Sequence, residues 1–178
     1  MFTTDSSLIK KIKKGDQQSF ERLYDKYADY ALRTAFAITK NKYDAADIVQ
    51  ETFIRVYRHI GSYDVTKPFR PWFYQILVNE SRRYLNKKTK QALSVESDEI
   101  LDALTKQEGL SGATEDVMIA LEFLSDDDRT LLILKYLHEF KEKELAEIMQ
   151  LNINTVKSRL YRARQRMQSI MTGGMLDA

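Results

Sequence analysis

Residues 144–167 read ELAEIMQLNINTVKSRLYRARQRM. A helical pattern from about Lys141 to Met149 meets a tight turn at Gln150-Leu151. Asn152 then suits an N-cap, with Thr155 at N3, for a long helix reaching about Ile170. In that helix Val156, Leu160, Ala163, Met167 and Ile170 make a narrow apolar seam, and the charges are Lys157, Arg159, Arg162, Arg164 and Arg166, with no acid between Asn152 and Leu176. A helix, a short turn and a second helix bearing only cations is what enters a DNA major groove. The alternative is a solvated basic helix, which normally intersperses acids for i,i+4 pairing, so the chemistry favours DNA. Upstream, Ser125 suits an N-cap, and Asp126, Asp127 and Asp128 suit the positive end of the helix it starts better than they suit a metal.

Further back, residues 96–116 are net −6, whereas residues 1–95 are net +8 and residues 117–178 are neutral. The stretch 91–116 (QALSVESDEILDALTKQEGLSGATED) is acidic, has two glycines and only a weak short period. It reads as a flexible linker with a turn of helix near Ile100 to Leu104. Before it, a helix beginning near Pro71 opens aromatic and closes basic. Phe69, Trp72, Phe73, Tyr74 and Tyr84 lie in or beside the stretch containing Arg70, Arg82, Arg83, Lys87, Lys88 and Lys90. Bases stack on aromatic faces while cations track phosphates, so the interleaving suits single-stranded nucleic acid. A core-facing aromatic set with a solvated basic helix end fits the pattern equally well.

The segment DAADIVQETFIRVYRHIG (Asp44 to Gly61) places Ala45, Ile48, Val49, Thr52, Phe53, Val56, Tyr57 and Ile60 on one face and Asp47, Gln50, Glu51, Ile54 and Arg58 on the other. Ile54 is then either an ordinary exposed isoleucine or part of a docking stripe for another protein. Two more helices are expected upstream. One runs from Asp5 to Lys14 and stops at Gly15; the next is capped by Asp16, with Phe20, Leu23, Tyr24, Tyr27, Ala31, Leu32, Ala35 and Ile38 nearly all core.

Two prolines in 178 residues and these long 3.6-residue periods imply an all-α protein. The expected organisation is two small helical domains, 1–92 and 117–178, joined by an acidic flexible linker, 93–116, the C-terminal domain being a helix-turn-helix. No apolar run approaches the ~20 residues of a spanning helix, and the N-terminus lacks the pattern of a signal peptide. A cytoplasmic location is expected. The absence of cysteine removes disulfides, thiolate nucleophiles and Cys-ligated zinc. His59 and His138 sit in helical patterns without partners at metal-ligand spacing and read as structural. Six glycines include no phosphate cradle. No cofactor and no metal are expected, and an enzyme would have to work with carboxylates alone.

Three motifs carry a resemblance. NTVKSRLYRARQRM (154–167) resembles the recognition helix of the bacterial extracytoplasmic-function sigma factors. DAADIVQETFIRVYRHI resembles their polymerase-docking helix, and PFRPWFYQILVNESRRYLNKK (68–88) resembles their promoter-reading helix. They occur in the family's order and cover nearly the whole chain. Ala46 where Glu is common, Gln150 where Gly or Asn is frequent, and Asn154 in place of a frequent Gly are departures that bear on promoter detail.

The resemblance implies a transcription initiation factor that binds core RNA polymerase and promoter DNA. It implies no catalysis and no small-molecule substrate, and an anti-sigma factor, often membrane-anchored, as a further partner. By matching positions it implies polymerase docking through Asp47, Gln50, Glu51 and Ile54. Reading and opening of the minus-ten element fall to Tyr63, Asp64, Phe69, Arg70, Trp72, Tyr74, Asn79, Arg82, Arg83 and Lys87, the loop from Gly61 to Phe69 receiving an extruded base. The minus-thirty-five element falls to Asn154, Thr155, Lys157, Ser158, Arg159 and Arg162, with Arg164 and Arg166 on phosphate or in solvent. The rival is a self-sufficient helix-turn-helix regulator with a sensory N-terminal domain, which explains the C-terminal third but neither the docking stripe nor the aromatic-basic helix.

Overall fold

A computed structural model describes residues 4–94, 117 and 119–172. The helices are α1 (Asp5–Ile12), α2 (Gln17–Thr39), α3 (Lys42–His59), α4 (Phe69–Ser94), α5 (Asp126–Tyr136), α6 (Glu142–Met149) and α7 (Ile153–Met171), with a helical turn at 119–122 and no strand among the described residues. Short polar side chains start most of them by accepting from backbone N–H groups that have no helical carbonyl. Thr4 accepts from Ser7, Asp16 from Gln18 and Ser19, Asn41 from Tyr43 and Asp44, Ser125 from Asp128, and Asn152 from Asn154. The caps expected at Asp16, Ser125 and Asn152 are all present. Asn41 moves the start of α3 to Lys42, earlier than Asp44. Pro71 falls in the first turn of α4, where no N–H is needed. α4 continues to Ser94, into the stretch expected to open the linker. The helical turn expected near Ile100 to Leu104 lies outside the described residues.

Helices α1 to α4 enclose Leu8, Ile9, Leu23, Ala31, Ile48, Phe53, Val56, Phe73 and Leu77. Helices α5 to α7 enclose Leu131, Leu134, Leu145, Ile148, Val156 and Leu160. The two cores meet, because α4 packs on α6 and α2 on α5. Buried Arg129 is the firmest tie: it donates to the carbonyls of Ile38, Leu121 and Leu124 at 3.1, 2.8 and 3.0 Å. Its cation thus stands at the C-terminal, negative end of α2.

Three core expectations fail. Tyr24, Leu32 and Tyr57 remain 44%, 42% and 57% exposed. Periodicity put them on apolar faces, but α2 and α3 diverge from one another there and leave a groove.

Candidate functional site

Asp47, Gln50, Glu51 and Ile54 all stand off the core side of α3, yet they form two patches. Gln50 and Ile54 line an apolar groove of about 960 Å³ between α2 and α3, with Phe20, Tyr24, Val49, Phe53 and Tyr57 among its walls. The groove is held open by rings: Phe20 meets Tyr57 edge-on at 5.1 Å, and Tyr24 lies 4.6 Å from Phe53. Asp47 and Glu51 turn instead toward α4, beside Glu80, Arg83, Tyr84 and Lys87. There the buried Glu80 carboxylate is 2.6 Å from Arg55 and 2.9 Å from Arg83, and Glu51 is 3.2 Å from Arg55. A buried carboxylate costs heavily unless paired, which accounts for the cations drawn to it.

The loop before α4 is rigid by construction. Lys13 donates to the Tyr63 carbonyl at 2.6 Å, and the Tyr63 hydroxyl donates to the Lys67 carbonyl at 2.6 Å. Asp64 accepts from the Thr66 N–H and hydroxyl at 2.9 and 2.7 Å, and these bonds hold its carboxyl below the ordinary range. Tyr63 and Trp72 stack at 4.6 Å. Together they border a cavity of about 1030 Å³ whose opposite wall is Lys143, Glu144 and Glu147 of α6.

On α4 itself, Phe69 and Tyr74, expected on the strand-handling surface, are 3% and 1% exposed and belong to the core. Asn79 is half-buried and Lys87 exposed. Tyr84 and Lys88 both donate to buried Asp44, at 2.7 and 2.8 Å, which pins this end of the helix to α3. The bond to Asp44, with burial, pushes the Tyr84 hydroxyl up to about 12. Arg70 donates to the His138 carbonyl at 2.6 Å and lies 4.4 Å over the Phe140 ring. Arg82 pairs with Asp127 at 2.9 Å. Of the cations named for the minus-ten element, Arg70, Arg82 and Arg83 are therefore already engaged within the chain.

On α7, Val156, Leu160 and Ala163 are buried as expected, and Asn154, Lys157, Ser158 and Arg162 stand exposed on the other side, with Thr155 half-buried. Arg159 is the exception, since its Nη1 donates to Asp127 Oδ2 at 3.0 Å.

The matches divide along the same line. Sigma-70 region 2 matches residues 23–91 and Sigma-70 region 4 matches residues 115–167. The chain is 33% identical over 177 residues to the ECF RNA polymerase sigma factor SigW of Bacillus subtilis, covering 88% of this chain and 91% of that one.

The chain belongs to the ECF RNA polymerase sigma factors.

Another relative, SigM of Bacillus subtilis, is 34% identical over 164 residues, covering 89% of this chain and 99% of that one. Two solved structures share the fold. CnrH, in complex with the cytosolic domain of CnrY, gives a TM-score of 0.72 at 21% identity over 95% of this chain and 97% of that one. RpoE of Bartonella quintana, in complex with the anti-sigma factor NepR, gives 0.73 at 24% over 90% and 99%. The protein is thus a transcription initiation factor; a self-sufficient regulator would leave the region 2 match unexplained.

Three residues of this sigma factor escaped sequence reasoning. Asp127 looked like a capping acid but joins Arg82 to Arg159. Arg129 was not singled out at all. His138, read as part of a helical pattern, lies in the turn after α5, buried between Thr34 and Tyr74. Thr34 gives its one hydroxyl hydrogen to the Tyr30 carbonyl, so His138 Nε2 donates to Thr34 and Nδ1 accepts from Tyr74. Burial and the Arg70 charge push this imidazole down to about 4. A charged residue among apolar neighbours at Arg129, and a histidine beside an aromatic at His138 and Phe140, were the available signals; neither specifies a partner far away in sequence.

Proposed function

We propose that this sigma factor docks core RNA polymerase through the α2/α3 groove, with Gln50 and Ile54 on its edge and Asp47 and Glu51 flanking it, and carries the enzyme to promoters. Residues 1–92 form the unit that handles the minus-ten element and residues 117–178 the unit that reads the minus-thirty-five element, with 93–116 as linker. The observation that carries this reading is the open apolar groove on the same four-helix unit as a cation-lined face, joined to a second unit whose α7 is basic on its outer side. In the minus-ten unit, Tyr63, Asp64 and Trp72 shape the base-receiving loop and Phe69 and Tyr74 support it from the core. Arg70, Asn79, Arg82, Arg83 and Lys87 follow the strand. Extruding a base costs a few kcal/mol and needs such a prepared receiver.

On α7, Asn154, Thr155, Lys157, Ser158, Arg159 and Arg162 meet the groove; Arg-to-guanine forks each supply about 1–3 kcal/mol of discrimination. The partners are core RNA polymerase, promoter DNA and an anti-sigma factor that competes for the same docking surface. The protein works in the cytoplasm, and no helix among the described residues is long and apolar enough to cross a membrane.

A promoter library transcribed with core polymerase tests the assignment. Arg159→Ala should relax preference at one or two minus-thirty-five positions, while Arg166→Ala weakens all promoters about equally. The reverse result means α7 sits otherwise in the groove, and no promoter-specific transcript at all refutes the function.

A further inference from the structure

One carboxylate holds arginines from both helices assigned to DNA. Asp127 Oδ1 accepts from Arg82 of α4, at 3.0 Å from Nε and 2.9 Å from Nη2, and Asp127 Oδ2 accepts from Arg159 of α7 at 3.0 Å. Burial works against the ionised Asp127, but the two arginines outweigh it and hold the carboxyl below its ordinary range. Arginine grips phosphate with the same fork, so Asp127 stands on each cation where a nucleic-acid oxygen would stand.

The rest of the interface masks the same surfaces. Arg82 also donates to the Met149 carbonyl at 3.4 Å, and Gln75 to the Glu147 carbonyl at 3.2 Å. Glu144 and Glu147 face the cavity behind Tyr63 and Trp72, where a strand of phosphates would have to enter against their charge. The α2/α3 groove takes no lining residue from α5, α6 or α7.

We propose that this arrangement is a self-masked state of the sigma factor, latched by Asp127 acting as an internal phosphate mimic, and that promoter DNA engages only after the two helical units separate. The proposal rests on the assignment of Arg82 and Arg159 to DNA. It makes α5, through its first turn, an inhibitor of both DNA-reading helices at once, while leaving the polymerase groove accessible.

A chain without cysteine accepts a single pair of spin labels. Arg22→Cys on α2 and Gln165→Cys on α7, both exposed, report the separation of the units by pulsed double resonance on the full chain. The parent should give a narrow distribution, and Asp127→Asn should lengthen and broaden it. Asp127→Glu should restore the narrow form. Asp126→Asn removes the same charge one residue away and should change nothing.

In parallel, a fluorescein-labelled random single-stranded oligonucleotide of roughly 20 nucleotides should bind Asp127→Asn at least about fivefold more tightly than Asp126→Asn at low salt. A broad distribution in the parent overturns the proposal. So does a narrow one that survives Asp127→Asn, or an opened chain that binds the oligonucleotide no better than the Asp126→Asn control. If circular dichroism shows Asp127→Asn to be unfolded, Arg82→Gln breaks the latch from the other side and gives the distance result. Failure of the sigma-factor assignment looks different: no promoter-specific transcript from the parent with core polymerase, with the distance results intact.

Discussion

The groove between α2 and α3 and the face between α4 and α6 both collect residues marked for partners, yet they are in opposite physical states. The groove is open and apolar, with Ile54 and Tyr57 still 37% and 57% exposed. The α4–α6 face is closed and polar, its Arg70, Gln75 and Arg82 all bonded within the chain. Apolar surface gives up only water when a partner arrives and gains roughly 25 cal/mol for each Å² covered. A paired arginine gains only the difference between the new oxygen and the old one. Polymerase docking therefore meets a prepared surface, whereas contact with DNA is conditional on breaking bonds already made.

Ile54→Lys should break the open side of this comparison with the largest effect. An apolar anchor at the centre of an interface is worth about 2 kcal/mol or more, so core-polymerase affinity should fall ~30-fold or further. An exposed change leaves folding within about 0.5 kcal/mol. Surface plasmon resonance and calorimetry read the two quantities, and parallel loss of both would make Ile54 a core residue.

Arg129→Met attacks the closed side from within. It leaves the carbonyls of Ile38, Leu121 and Leu124 without this donor, and a cost of about 3 kcal/mol is expected in urea denaturation. A loss under about 1 kcal/mol would mean that water replaces the guanidinium.

Acid sharpens the comparison, because His138 belongs to the closed face. Its folded value of about 4 lies below the ordinary 6.5 that it regains when the units separate, so the open form takes up the proton more readily. The closed form has its full stability above pH 6.5 and loses it as pH falls toward 4. Between pH 7 and 5.5 the loss should be about 1 kcal/mol, read as a longer label-to-label distance; His138→Gln should flatten this dependence. A pH-independent distance would place the imidazole in solvent.

The smallest effect is expected at the rim. Lys40 and Glu122 approach only to 3.6 Å and are partly exposed, so Glu122→Gln should shift closure by less than about 0.5 kcal/mol. A larger shift would show that the latch depends on its edge rather than on Asp127.

Much of this was legible along the chain. Gly15 takes a φ of +89° just past α1, near the stop expected for the helix, because a local backbone need has a local signature. The apolar seam of α7 was equally plain. The groove was half legible: Ile54 stood off its helix face, but Tyr24, Leu32 and Tyr57 fitted the core pattern and only the splay of α2 from α3 exposes them. Phe69 and Tyr74 were legible as aromatics beside cations, and the pattern alone left open which of them turned inward.

The sequence by itself determined the helices, their caps, the all-α class and the family. Each of those depends on residues within a few positions of one another, where period and capping chemistry act directly. Only the tertiary structure decided that Asp127 meets Arg82 and Arg159, that Arg129 reaches the end of α2, and that His138 lies between Thr34 and Tyr74. Those pairings span 32 to 104 positions or join separate helices, and a carboxylate or an imidazole carries no mark in the chain of which distant partner will satisfy it.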